Sequence, residues 1–142
     1  MNDFTYLGNP NLKKANVQQE WTKKQVQEYA RCMDDPLYFI QTYVRIISLD
    51  EGLIPFKMYP FQKEMVGTFH KNRFTICKLP RQSGKSTTMI SYLLHYSLFN
   101  PSSNIAILAN KAATARDLLG RLQLAYEHLP KWLQPVSYTH LT

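Results

Sequence analysis

The spacing of apolar residues predicts that the first half of the chain is helical. Apolar side chains recur at helical spacing over residues 22–33, where Thr22 and Gln25 form a capping-box pattern. A second, short helix is predicted over 36–44, because an Asp-Pro pair at its start is typical of an N-cap followed by the first helical position. A third helix is predicted over 60–72, again beginning at a proline.

The second half of the chain alternates between two kinds of apolar pattern. Short β-branched and apolar runs at 74–79 and 105–109 predict strands with both faces covered. Residues 85–99 and 112–129 carry apolar positions at helical spacing and predict two longer helices. The order strand, helix, strand, helix favours a right-handed βαβ unit with parallel pairing of the strands.

These patterns divide the chain into four parts. Residues 1–20 are polar and are predicted to be a flexible lead, and 21–73 form a helical N-terminal part with a turn at 50–52. Residues 74–135 form the βαβα core. The fold class that we predict is therefore α/β, with a parallel sheet that is truncated after the first βαβα and preceded by a helical segment.

Composition limits the function classes without selecting one. The 142 residues are 44% hydrophobic and 19% charged, which excludes a disordered chain, and the net charge of +7 favours acidic partners such as nucleic acid or nucleotide phosphates. The basic residues are scattered and form no basic arm.

Cys32 and Cys77 have no metal-ligand or redox spacing, so both are predicted to be buried thiols in a reducing compartment. The chain has no apolar run of about 20 residues, so we predict an intracellular protein outside the membrane.

The junction between the first predicted strand and its helix carries the candidate chemistry. Gly84 lets the backbone approach phosphates, which would meet the free N–H groups and the positive dipole end of the helix. Lys85 would reach the β- and γ-phosphates of ATP, Ser86 would place its hydroxyl on Mg²⁺, and Thr87 would complete the cradle. The whole predicted nucleotide-binding segment reads Pro80-Arg81-Gln82-Ser83-Gly84-Lys85-Ser86-Thr87.

Three positions leave alternatives open. The strict P-loop has a glycine five residues before Gly84, and Leu79 stands there instead. Arg81 either neutralises charge on the γ-phosphoryl group or is a surface arginine paired with a carboxylate. Gln62 either pairs with the edge of adenine through its amide or is an ordinary surface glutamine.

Five motifs, in order along the chain, are similar to those of the large terminase subunit of tailed myovirus-type bacteriophages. The similarity covers roughly residues 20–135, and in that family the first glycine of the P-loop is commonly absent while an Arg-Gln pair precedes the Gly-Lys. The motifs are Pro36-Leu37-Tyr38-Phe39-Ile40, Gly52-Leu53-Ile54-Pro55, Tyr59-Pro60-Phe61-Gln62, Leu79-Pro80-Arg81-Gln82-Ser83-Gly84-Lys85-Ser86 and Ile105-Ala106-Ile107-Leu108-Ala109-Asn110-Lys111.

The resemblance implies a P-loop NTPase of the ASCE type that drives viral DNA into a procapsid by hydrolysing ATP with Mg²⁺. By position, Gln62 becomes the adenine-recognising glutamine, Lys85 and Ser86 the phosphate and Mg²⁺ residues, and Arg81 the catalytic arginine of the loop together with Lys85. The implied partners are double-stranded viral DNA, the portal protein, the small terminase subunit and further copies of the chain in a ring. The implied location is the host cytoplasm.

The family also has features that are absent from these 142 residues. Its Walker B carboxylates, catalytic glutamate and nuclease domain come later, so we expect an N-terminal piece that binds ATP and hydrolyses it negligibly. Residues 136–142 do not continue the family's pattern and are predicted to be an artefactual tail.

Two other function classes stay open at this point. One is a different P-loop enzyme, such as a helicase or a recombination ATPase, because a glutamine ahead of an irregular P-loop also occurs in those motors. The other is a basic, aromatic module that binds DNA or a partner and does no chemistry.

Overall fold

A computed structural model describes residues 5–6, 9–13 and 20–134 of the chain. Its described elements are five α-helices, two antiparallel strand pairs and one short 3₁₀-helix. In chain order they are β1 (Thr5–Tyr6), β2 (Asn9–Lys13), α1 (Lys23–Asp34), α2 (Pro36–Tyr43), β3 (Arg45–Ser48), β4 (Gly52–Pro55), α3 (Pro60–Lys71), α4 (Lys85–Phe99), α5 (Ala112–Glu127) and the 3₁₀-helix Lys131–Leu133. The protein is thus of the mixed α/β class.

The helix ends follow the capping signals of the sequence. At the start of α1 the Thr22 hydroxyl accepts a hydrogen bond from the Gln25 N–H at 3.3 Å, and the Gln25 side chain accepts one from the Thr22 N–H at 3.0 Å. At the start of α2 the Asp35 carboxylate accepts from the Tyr38 N–H at 3.1 Å. The predicted helices therefore agree with the observed ones to within two residues at each end.

The sheet differs from the predicted one. Strands β3 and β4 pair antiparallel, with Arg45 opposite Pro55 and Ser48 opposite Gly52, and the predicted turn at 50–52 connects them. Gly52 has a φ of 72°, a left-handed conformation that glycine adopts without strain. Strands β1 and β2 also pair antiparallel. No parallel pairing is present among the described residues.

The two predicted strands at 74–79 and 105–109 are not strands in the structure. Both segments are non-helical backbone without a ladder partner. Apolar side chains that were predicted to be covered lie in solvent: Phe74 is 83% exposed, Ile76 96% and Leu108 87%. A strand needs a neighbour to pair its N–H and C=O groups, and in the described part of the chain these segments have none.

The main hydrophobic core lies between α1, α2, α3, α4 and the end of α5. Phe39 of α2 is at its centre, and its ring meets those of His95 and Phe99 of α4 at centroid distances of 5.4 and 5.5 Å. A second, smaller cluster joins α4 to α5. The main cluster consists of Cys32, Phe39, Ile40, Val44, Phe56, Met58, Val66, Leu94, Leu98, Phe99, Ala125, Leu129 and Leu133.

The cysteine prediction holds for one thiol. Cys32 is fully buried, and burial raises the pKa of its thiol to about 12, so the side chain stays protonated and apolar. Cys77 is only partly buried, because the segment 74–79 that carries it has no paired neighbour to cover it.

The predicted flexible lead falls mostly outside the described residues. Where it is described, at 5–6 and 9–13, it forms a short antiparallel pair, so this part is regular. The predicted tail at 136–142 lies outside the described residues altogether. Among the helices that are described, none combines the length and the apolar character needed to cross a bilayer.

His95 is a titratable side chain inside the core. Its Nε2 lies 2.8 Å from the carbonyl oxygen of Cys32, so an N–H at Nε2 donates to that carbonyl. Burial lowers the pKa of His95 below the usual 6.5, because the aromatic surroundings disfavour the imidazolium.

We expect the free energy of unfolding to fall as the pH is lowered through about 6.5. Below that pH the unfolded chain protonates this imidazole while the folded chain does not, so the stabilisation is complete above 6.5 and is lost on acidification. Urea denaturation at several pH values between about 5 and 7 measures the slope. His95→Gln, which keeps a donor for the Cys32 carbonyl, should flatten it. His70→Gln removes only a neighbouring charge that helps to lower the pKa of His95, so it should flatten the slope less. An unchanged slope in His95→Gln would contradict the assignment.

Candidate functional site

The site is built on the first turn of α4 and the loop that precedes it. Helix α4 begins at Lys85, and its N-cap is Gly84, which has φ 74° and ψ 16° in the left-handed region. Gln82 is also left-handed, with φ 60°. No side chain caps this helix end, so its first N–H groups point out of the helix without the side-chain acceptor that α1 and α2 have.

A cavity of about 460 Å³ opens at this helix end. Lys85 is the first residue of α4 and lines this cavity, which is the position that the sequence predicts for a phosphate-binding lysine. The lining residues are the complete loop and one residue of α5: Pro80, Arg81, Gln82, Ser83, Gly84, Lys85, Ser86, Thr87 and Arg121.

The Ser83 hydroxyl is an unsatisfied polar group within this loop. Its Oγ is buried, and the described part of the chain offers it no hydrogen-bond partner. A buried hydroxyl without a partner is costly, so this one favours a partner from outside the described residues, such as a water or a ligand. After a rotation about χ1 toward the adjoining cavity, the hydroxyl could donate to a phosphate oxygen there.

The first turn of α4 is stiffened from inside. The Thr88 hydroxyl is fully buried and donates to the Gly84 carbonyl oxygen at 2.8 Å, and the Ser91 hydroxyl donates in the same way to the Thr87 carbonyl oxygen at 2.8 Å. The Thr88 bond connects the loop residue Gly84 to the helix, and the Ser91 bond does the same for Thr87 one turn later.

Gln62 connects the loop to α3. Its side chain is buried: Oε1 accepts from the Tyr59 N–H at 2.9 Å, and Nε2 donates to the Ser83 carbonyl oxygen at 3.4 Å. The sequence predicted an adenine contact at Gln62 and did not anticipate these two bonds. A glutamine amide has two donor hydrogens and two acceptor lone pairs, so one of each remains for a ligand.

A larger cavity, of about 790 Å³, lies on the Gln62 side of the loop. Its walls are mainly apolar, and the rings of Tyr59 and Phe61 stack at its edge, 5.9 Å apart and inclined by 7°. Loop residues line both hollows, so the two adjoin across the loop. The walls are Ile46, Glu51, Ile54, Pro55, Phe56, Lys57, Tyr59, Phe61, Gln62, Leu79, Pro80, Gln82, Ser83, Gly84 and Thr87.

The structure brings the predicted site residues together in two groups. Every predicted loop residue lines the smaller cavity, and Arg81 does so while remaining exposed. Gln62 lies at the larger cavity and contacts the loop through Ser83. The sequence analysis missed Arg121, which it counted only among scattered basic residues, because no local motif marks a side chain that reaches the loop from a helix 36 residues further on.

Carboxylates are absent from the lining of the smaller cavity. Within the described residues no group of three or more His, Cys, Asp or Glu side chains is placed to hold a metal. The donor set fits a Mg²⁺ ion that is bound mainly by phosphate oxygens and water, with Ser86 as the protein ligand, since Mg²⁺ usually keeps several waters. No family model matches the chain.

Proposed function

We propose that the chain binds ATP, with the polyphosphate in the cavity of the loop 80–87 and the base in the larger cavity beside Gln62. One observation carries the proposal: a helix end without a side-chain cap, entered through a left-handed Gly84, places Lys85 beside a hollow. The free N–H groups, the helix dipole and the Lys85 ammonium would then all attract the same polyphosphate.

Five residues of the loop have a role in this proposal. Lys85 binds the β- and γ-phosphates, the Ser86 hydroxyl binds Mg²⁺, and backbone N–H groups through Thr87 cradle the phosphates. Mg²⁺ would neutralise charge that develops on the phosphates. The unsatisfied Ser83 hydroxyl supports a polar ligand here. Arg81, exposed at the rim, acts on the γ-phosphate.

The base would lie between Gln62 and the aromatic edge of the larger cavity. The remaining donor and acceptor positions of Gln62 can pair with the edge of adenine, and the Tyr59–Phe61 pair offers an apolar surface beside it. The same glutamine contacts the loop, so base and phosphate would lie on either side of one continuous strip of backbone.

The wider function that we propose is that of the ATP-binding part of a viral DNA packaging motor, the terminase large subunit. Its support is the resemblance in five motifs and the loop geometry. The partners in this proposal are viral double-stranded DNA, the portal protein, the small terminase subunit and further copies in a ring. Segments 74–79 and 105–109 would be parallel strands of the P-loop NTPase sheet, and the alternating exposure along 74–79 agrees with a strand.

The test is a titration of labelled ATP with Mg²⁺ against the wild type, Lys85→Ala and Lys78→Ala. We expect Lys85→Ala to bind ATP about ten- to hundredfold more weakly, since a hydrogen bond to a charged group contributes about 1.5–3 kcal/mol. Lys78 is an exposed lysine just before the loop and does not line the cavity, so Lys78→Ala should bind normally.

Equal affinities of both variants and the wild type would contradict the proposal. DNA binding without ATP binding, falling steeply with salt in all three proteins, would favour the non-catalytic DNA-binding module instead. The circular dichroism spectrum of Lys85→Ala should match that of the wild type, because the side chain contributes to no described core cluster.

A further inference from the structure

Arg121 of α5 is the one residue outside the loop that lines the smaller cavity within the described part of the chain. We propose that Arg121 is a further phosphate-binding residue, whose guanidinium contacts the terminal phosphates of the bound nucleotide. The inference rests on the proposed function and adds a contact from a second element. That contact is 36 positions after Lys85 and belongs to no P-loop motif in this sequence.

The position of Arg121 is set by packing. Leu118 and Leu122, its neighbours on α5, are buried against Ile90 of α4. Ile90 is in the second turn of α4, five residues after Lys85. The apolar contact therefore holds the middle of α5 beside the N-terminal turns of α4, and Arg121 lines the cavity as a consequence.

Arg121 forms an exposed ion pair with Asp117 that contributes little to stability. Its Nη2 lies 3.1 Å from the Asp117 carboxylate, one helical turn earlier, and both side chains are more than half exposed. Exposed pairs at this spacing contribute little, whereas an arginine and a phosphate form two parallel charge-assisted hydrogen bonds. A polyphosphate in the cavity would thus displace Asp117 as the partner of the guanidinium.

The charges around the cavity favour this exchange. Its cationic lining residues are Arg81, Lys85 and Arg121, and no carboxylate is among the lining residues. Lys85 lies at the start of α4 and Arg81 is an exposed residue of the loop, so Arg121 supplies positive charge from a second helix. A polyphosphate would then be contacted from two elements, the loop with the start of α4 and the helix α5.

The experiment compares Arg121→Gln with Arg116→Gln in the full chain. Arg116 is exposed on the same helix and does not line the cavity, so the two variants lose the same charge. The probes are ATP, inorganic tripolyphosphate and adenosine. We expect Arg121→Gln to bind ATP and tripolyphosphate about tenfold more weakly, with unchanged adenosine binding, and Arg116→Gln to resemble the wild type.

Other outcomes overturn the inference in distinguishable ways. If Arg121→Gln binds tripolyphosphate as Arg116→Gln does, while Lys85→Ala has lost binding, the phosphate site stands and Arg121 is not part of it. If Arg121→Gln weakens all three probes equally, its effect is on the fold. If the wild type binds neither ATP nor tripolyphosphate, the proposed function fails together with the inference.

Asp117→Asn, which frees the guanidinium, should bind tripolyphosphate at least as tightly as the wild type. A loss of binding in this variant would likewise overturn the inference.

Discussion

Gly84→Ala is expected to destabilise the protein by about 2–5 kcal/mol, from left-handed strain and overpacking together. Gly84 has φ +74°, which alanine adopts only with strain. A Cβ at this position would also fall well inside van der Waals distance of the Gln62 Nε2, which is itself held by the Ser83 carbonyl. Relief of the clash requires Gln62 to leave the loop, so the base side and the phosphate side of the site are disturbed together.

Urea denaturation and ATP titration measure the two consequences of Gly84→Ala. ATP affinity should fall at least about tenfold, because the backbone that faces the phosphates has to shift. Gly120→Ala is the matched control: Gly120 lies within α5 with no atom near its would-be Cβ, so alanine should stabilise the helix by up to about 1 kcal/mol. A Gly84→Ala protein as stable as the wild type would show that the loop tolerates a Cβ and is not held as described.

The helices could be predicted from the sequence because their signals are local. The capping box at Thr22, the Asp35–Pro36 pair and the proline at the start of α3 each act within one turn of the chain. Helix α4, predicted over 85–99, begins and ends at those residues. Local chemistry also predicted the loop and the first-turn position of Lys85.

The strands could not be predicted in the same way, because pairing is a property of neighbours. The apolar run at 74–79 indicates covered faces, but Phe74 and Ile76 have no cover in the described residues and no ladder forms. Conversely, β3 and β4 pair around a turn that the sequence did indicate, although only one residue of β4 is even partly buried.

In the site, too, contacts between residues that are far apart in the sequence could not be predicted. The sequence predicts an adenine contact for Gln62, whereas the structure shows contacts with Tyr59 and Ser83 that link α3 to the loop. That second role depends on how α3 packs beside α4, which no spacing along the chain expresses. Arg121 reaches the cavity only because the small α4–α5 cluster fixes the register of the two helices.

Phe39→Ala is expected to cost about 3–5 kcal/mol of stability, the range for removing a fully buried phenylalanine. Phe39 meets His95 and Phe99 in the C-terminal half of α4, so the truncation leaves a cavity between α2 and α4. Whole domains of this size are stable by about 5–15 kcal/mol, so the loss is a large share of the total. Ile47→Ala, at a position that is 63% exposed, should change stability by less than about 0.5 kcal/mol.

Stabilisation by ATP should distinguish the loss of stability in Phe39→Ala from that in Gly84→Ala. A ligand at about a hundred times its dissociation constant stabilises the folded state by about 2.7 kcal/mol if the site is intact. Phe39 contacts α4 only in its C-terminal half, at His95 and Phe99, away from the loop. Saturating ATP should therefore stabilise Phe39→Ala against urea by the same free energy as the wild type. Gly84→Ala should gain much less at the same ATP concentration, because its loop is altered. If ATP left Phe39→Ala unprotected while protecting the wild type, the core and the loop would be coupled more tightly than the contacts along α4 indicate.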